Sequence, residues 1–281
     1  MTSSPGNIDP DVASGFGHEW STFQQNSSEL SAKDREEIFA SYFSIFPWAE
    51  LPADAVGMDV GCGSGRWSVM VAPRVGHLHL IDASKDALAV ARQNLSDASN
   101  VSFHLASVDA MPFEDGSLDF AFSLGVLHHV PDTVAGIRSI AAKLKRGAPF
   151  LIYLYYALDN RPRWYRGVWR LSNVLRIAIS ALPPAARLMV SQVIAIAVYW
   201  PLARLARLVE LAGLPPSGIP LESYRNRDFY VMRTDAYDRF CTKLEQRFTR
   251  AQIENMLIDT GFEKIRFSDS VPYWCAVGKK R

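Results

Sequence analysis

The chain has 281 residues, 48% of them apolar and 21% charged, with a formal net charge of +1. It is long for one domain and short for two independent ones, and near neutrality removes any global pull toward nucleic acid or an acidic partner. Three scattered cysteines, Cys62, Cys241 and Cys275, exclude a disulfide framework and a CxxC metal site, and fit a reducing, cytoplasmic compartment.

Residues 1–15 are rich in Ser, Gly, Pro and Asp and have neither a basic nor an apolar leader region. They read as a frayed tail, and residues 1–30 as a flexible tail or lid. Residues 31–50 carry helical apolar spacing (Ile38, Phe39, Tyr42, Phe43, Phe46), with Ser31 as a cap and Pro47 and Pro52 closing the segment. Buried-type strands then alternate with amphipathic helices: strands at 56–60, 77–82, 101–106, 118–124 and 149–156, helices at 84–95 and 132–144. That alternation predicts an α/β fold, a Rossmann-like, doubly wound, mostly parallel sheet. Thr249-Arg-Ala-Gln252 reads as a capping box opening a helix to about Thr260, with Gly261 as its C-cap and strands at 264–268 and 273–277 beyond it. The expected division is a core over 31–156 and 226–281, interrupted by a helical insertion over 157–225.

The insertion has its own composition. Between Asn160 and Val209 stand eight arginines and no Asp, Glu or Lys; removing them leaves 22 basic against 29 acidic residues, a net of −7. The apolar run Leu188–Ala203 is sixteen residues, short of the roughly twenty that span a bilayer, and is interrupted by Ser191, Gln192 and Pro201. A transmembrane helix is therefore not expected. Two or three short helices are, acting as a cap over an apolar acceptor pocket, as a peripheral membrane contact through residues 160–209, or as a homodimer interface.

Chemistry-bearing residues gather where strands end. The first strand runs into Asp59-Val-Gly61-Cys62-Gly63-Ser-Gly65-Arg66, a loop whose glycines turn sharply and let a ligand approach the backbone. The second ends in Asp82-Ala83-Ser84, where a carboxylate offers two oxygens to the vicinal hydroxyls of a ribose. The third leads to Ser107-Val-Asp109-Ala110-Met111, and the fourth to Ser123-Leu124-Gly-Val-Leu-His128-His129-Val-Pro-Asp132. In open α/β sheets, ligands bind at these C-terminal strand ends.

The GxGxG spacing, with an acid two residues ahead, resembles motif I of the class I S-adenosylmethionine-dependent methyltransferases. The stretch from Asp119-Phe120 to Pro131-Asp132 resembles the ubiquinone/menaquinone-type branch, and Lys145-Arg146-Gly147 resembles its following turn, although Ala148 replaces a second glycine. The likeness is firm over about 50–155 and loose over 245–281. It implies a seven-stranded sheet and S-adenosylmethionine as cofactor. Its cofactor-binding residues would be Asp59, Gly61, Cys62, Gly63, Gly65, Asp82, Ala83, Ser84, Asp109, Ala110, Met111, Ser123 and Leu124. Asp59 would hold the methionine amino group and Asp109 the adenine amino group. Phe16-Gly17-His18-Glu19-Trp20 resembles an opening that folds over the pocket in some relatives, and equally reads as a core plug.

His128 and His129 are candidate proton acceptors near neutral pH, or structural donors to backbone carbonyls. Tyr153, Tyr155, Trp164, Tyr224 and Arg225 are candidates for holding a small, lipophilic or anionic acceptor for O- or C-methylation. No metal-ligand cluster is visible. No NPPY-like motif follows the fourth strand, so nucleic acid is not expected as a partner. Two other readings stay open: a nicotinamide-dependent oxidoreductase, which calls for GxGxxG, and a non-catalytic cofactor-binding protein at the membrane surface.

Overall fold

The computed structural model describes residues 6–10, 14–15, 32–242 and 244–281. Ser31 and the Phe16–Trp20 motif lie outside them. The chain divides into two units. The first holds Glu37–Asp159 and Leu244–Arg281, together with the described N-terminal residues 6–10 and 14–15; the second holds Asn160–Lys243 and residues 32–36.

The first unit is built on seven strands: β1 (Val56–Val60), β2 (His77–Asp82), β3 (Val101–Leu105), β4 (Phe120–Leu124), β5 (Pro149–Tyr153), β6 (Phe262–Phe267) and β7 (Cys275–Lys280). Their order is β3-β2-β1-β4-β5-β7-β6, with β7 antiparallel to both neighbours and the other pairings parallel. This is the mostly parallel sheet expected from the alternating pattern, with the seven strands that the resemblance implies. Central strands read as unbroken apolar runs because both faces are covered. One face packs Met58, Ile81, Ala121 and Ile152 under the helices Thr133–Lys143 and Arg250–Asp259. The other packs Leu80, Phe120, Phe122 and Leu151 under Ala32–Phe43 and Lys85–Asn94.

Several boundaries differ from the sequence reading. The first helix ends at Phe43, because Phe46 and Trp48 fold back to meet the Phe43 ring at 5.8 and 5.5 Å. β4 begins at Phe120, Leu118 contributing a lone bridge to Leu144, and β5 ends at Tyr153. Beyond it Tyr155 and Ala157 exchange backbone hydrogen bonds with Phe248 instead of extending the sheet. β7 runs to Lys280, past the expected end at Val277. The helix starts hold as read: Ser84 and Asp132 accept from Ala87 and Ala135, and Thr249 and Gln252 form the capping box.

The second unit is helical: α1 (Arg163–Ser180), α2 (Pro184–Ile194), a π-helical turn (Ala195–Tyr199), α3 (Trp200–Leu211) and α4 (Phe229–Cys241). α4, expected with the core, falls in this unit, because Met232, Ala236 and Phe240 cluster with Ala195, Tyr199 and Ala203. The expectation of short pieces is also corrected. Ala185–Leu211 runs as one 27-residue helix, long and apolar enough by length and composition to cross a membrane. Pro201 does not end it: a proline near the start of a helical turn costs little, and the π turn immediately before it absorbs the frame shift.

Candidate cofactor and active site

The parallel register sets the C-terminal ends of β1, β2, β3 and β4 side by side: Val60 pairs with Ile81, and Asp82 with Leu105, while Asp59 pairs with Phe122. Between β1 and the helix that follows lies the glycine loop. Gly61, Gly63 and Gly65 take positive φ of 78, 53 and 75°. A Cβ on Gly61 would stand 2.3 Å from a Val126 methyl, and one on Gly65 2.7 Å from Leu95, so both conformation and space require glycine. Cys62 is buried beneath the loop, where burial holds its thiol well above the usual range.

Asp59 is buried at 1% exposure and accepts a 2.7 Å hydrogen bond from the Ser68 hydroxyl. Burial pushes it up to about 7, opposed by the Ser68 bond and aided by the negative charge of Asp82. Asp82 accepts from the Gly63 N–H at 2.9 Å and the Ser84 N–H at 2.8 Å, one bond to each carboxylate oxygen. Its carboxyl is also raised by burial, against those backbone bonds. Ser84 caps its helix, and Ala83 lies between the two.

Asp109 is exposed. It accepts from the Ser107 hydroxyl at 2.6 Å and the Asn7 N–H at 2.9 Å, bonds that hold it below the usual carboxylate range. Asn7 also exchanges two hydrogen bonds with the Asp132 backbone, so this part of the tail is pinned where fraying was expected. Of the other predicted cofactor residues, Ala110 is exposed, whereas Met111 and Leu124 are in the core and Ser123 spends its hydroxyl on the Val60 carbonyl.

The two histidines separate in role. His129 bonds through Nδ1 to the Leu244 carbonyl at 2.6 Å, the structural role weighed for it. His128 is fully buried and stacks on Tyr155 at 3.9 Å; among the described residues neither of its ring nitrogens meets a hydrogen-bond partner. Burial holds it well below the usual imidazole value, so it stays neutral. The Arg247 guanidinium lies 5.1 Å over the Tyr155 ring and pairs with Glu245. Tyr153 meets Tyr42 edge-on at 5.1 Å, and Tyr42 lies 4.7 Å from Trp67. Sequence reasoning missed Ser68, Asn7 and Arg247. The helical register of Ser68, one turn beyond the loop, was a usable signal; nothing local marks Asn7 or Arg247.

Trp164, Tyr224 and Arg225 belong to the second unit. There the Tyr224 hydroxyl bonds to Asp235 at 2.7 Å, Arg225 pairs with Glu210 at 2.9 Å, and Trp164 is half exposed.

The loop's hydrogen bonds bear on the kind of nucleotide ligand it suits. A pyrophosphate needs free backbone N–H groups at a helix N-terminus. Here the Gly61 and Cys62 N–H groups donate to Ile81, Gly63 to Asp82 and Gly65 to Cys62, and the helix that follows is only four residues, Ser68–Val71. What the strand ends offer is carboxylates. That set suits a cationic amino acid joined to a ribose.

Comparison with known proteins agrees. The Methyltransferase domain family matches residues 58–147. The chain is 36% identical over 101 residues to phosphoethanolamine N-methyltransferase 2 of Caenorhabditis elegans, covering 35% of this chain and 23% of that protein. It is 35% identical over 103 residues to a ubiquinone biosynthesis O-methyltransferase of Xanthomonas axonopodis pv. citri, covering 36% of this chain and 43% of that one. It thus spans less than half the length of either relative. In fold it is similar to a SAM-dependent methyltransferase, possible histamine N-methyltransferase, of Thermotoga maritima, with a TM-score of 0.51 and 12% identity over 96% of this chain and all of that one. The matched family falls on the same residues as the glycine loop and the acid-tipped strands: residues 58–147, about a third of the chain, are similar to a methyltransferase domain.

Proposed function

We propose that the chain is a methyltransferase that uses S-adenosylmethionine to methylate a small, lipophilic or anionic acceptor. When bound, the cofactor supplies a sulfonium methyl group to a nucleophile held in line with it. Asp59, once ionised, pairs with the methionine ammonium. Asp82 accepts from the ribose hydroxyls with the lone pairs that Gly63 and Ser84 leave, and Asp109 accepts from the adenine amino group beside its bonds to Ser107 and Asn7. His128, neutral and buried against Tyr155, accepts a hydrogen bond from the acceptor's nucleophile. The observation that carries the reading is the placement of Asp59 and Asp82 at the ends of adjacent parallel strands beside the glycine loop.

The acceptor class rests on two supports. Relatives named for phosphoethanolamine and for ubiquinone biosynthesis keep N- and O-transfer in range. The aromatic group of Tyr42, Trp67, Tyr153 and Tyr155 supplies apolar surface within the first unit. The test is incubation with labelled S-adenosylmethionine and fractionated metabolite extracts. Release of S-adenosylhomocysteine with label in one fraction is expected; cofactor binding without release from any fraction would leave a non-catalytic binding protein.

A further inference from the structure

The second unit turns a large apolar face outward. Sixteen of the nineteen large apolar side chains exposed in the described residues lie between Trp164 and Leu214, a concentration far beyond the scatter normal on a soluble surface. On α1 the outward residues include Trp164, Val168, Leu171 and Leu175, while the inward face carries Ser172, Asn173 and Arg176. Arg176, 6% exposed, donates to Asn173 at 2.8 Å and to the Thr242 carbonyl at 2.7 Å. The long helix repeats the pattern. Ser191, Ala195, Ala203 and Ala206 are buried, and Met189, Val193, Ile196, Leu205 and Leu208 are exposed. An isolated water-soluble helical unit gains by the opposite arrangement.

We infer that this outward face docks on an anionic lipid bilayer, lying in its headgroup interface. Charge complementarity identifies the occupant. Exposed Arg163, Arg170 and Arg207 border the apolar face, and the span from Asn160 to Val209 contains no Asp or Glu to repel lipid phosphates. Trp164 and Trp200, 52% and 50% exposed, have the amphipathic rings favoured at that depth.

Topology keeps the helices in the plane. The chain leaves the first unit after Asp159 and re-enters it at Leu244, and β7 pairs with β5 in the same sheet. Crossings must therefore come in even number. Among the described residues only Ala185–Leu211 is long and apolar enough to cross. The other long helix, α1, carries four arginines in 18 residues, each costing about 3 kcal/mol at mid-bilayer. This inference does not depend on the methyltransferase reading.

Flotation of the full chain tests it, using vesicles of phosphatidylcholine alone against phosphatidylcholine with about one-third phosphatidylglycerol. Binding to the anionic vesicles should exceed binding to the neutral ones by about tenfold or more and should weaken between about 0.1 and 1 M salt. Leu171→Glu with Leu208→Glu should abolish it without shifting the melting temperature or cofactor affinity. Arg163→Gln with Arg170→Gln should remove most of the anionic preference while keeping the fold. Alkaline carbonate should strip the protein from the vesicles. Equal or absent binding to both vesicle types overturns the inference, as does resistance to carbonate, which would mean a crossing. A lipid-free dimer by ultracentrifugation that the Leu171/Leu208 variant dissociates, without flotation, would assign the face to a second copy.

Discussion

The first unit keeps its large apolar side chains inside and gathers carboxylates at the strand ends. The second packs a small core of Tyr199, Met232 and Phe240 with buried arginine, serine and alanine, and turns many more leucines, valines and tryptophans outward. Both obey the same rule, that apolar surface seeks apolar surroundings; they differ in what surrounds them. The first unit finds those surroundings in its own sheet and helices. The second, on our inference, finds them in lipid.

The sharpest way to break that contrast is a pair of deletions. Phe122→Ala, in the fully buried core of the first unit, should cost about 3–5 kcal/mol in urea denaturation, whereas Leu171→Ala, 68% exposed, should stay within about 0.5 kcal/mol. Comparable losses at both positions would mean that the outward face is already covered. Next in size, Asp82→Ala should raise the dissociation constant for S-adenosylmethionine at least about 100-fold, near 3 kcal/mol, because ribose acceptors and the Gly63 anchor go together. Unchanged affinity in calorimetry removes Asp82 from the site.

Arg176→Ala should destabilise by about 1–3 kcal/mol, since the Thr242 carbonyl loses its buried donor; a neutral result would contradict the structural role of the buried Arg176. A further effect is on pH. Asp59 is raised to about 7, so the ligand-free protein loses stability as pH rises from about 4, where an unfolded carboxyl ionises, to about 7. Cofactor binding runs the other way. It needs the ionised form, so affinity should fall as pH drops below about 7, by up to about tenfold per unit. Asp59→Asn should flatten both profiles, and a flat wild-type profile would deny the ammonium contact.

Much of the first unit was legible because its signals are local. Alternating apolar runs mark the strands, Ser84, Asp132 and Thr249 mark helix starts, and Gly61, Gly63 and Gly65 mark the loop. What stayed hidden depends on distant chain segments meeting. Asn7 reaches Asp109 across 102 residues, and His129 meets Leu244 across 115. The second unit misled for a different reason. Pro201 reads as a break in any local rule, yet the helix continues through it, and an acid-poor apolar run does not reveal which of its faces points outward.

The measurement that bears most directly on the site is isothermal titration calorimetry of the full chain with S-adenosylmethionine, and in parallel with NADH. We expect one saturable site for S-adenosylmethionine that Asp82→Ala removes, and no heat with NADH. No heat with S-adenosylmethionine, or saturable binding of NADH that Asp82→Ala abolishes, would contradict the assignment of the glycine loop and its carboxylates.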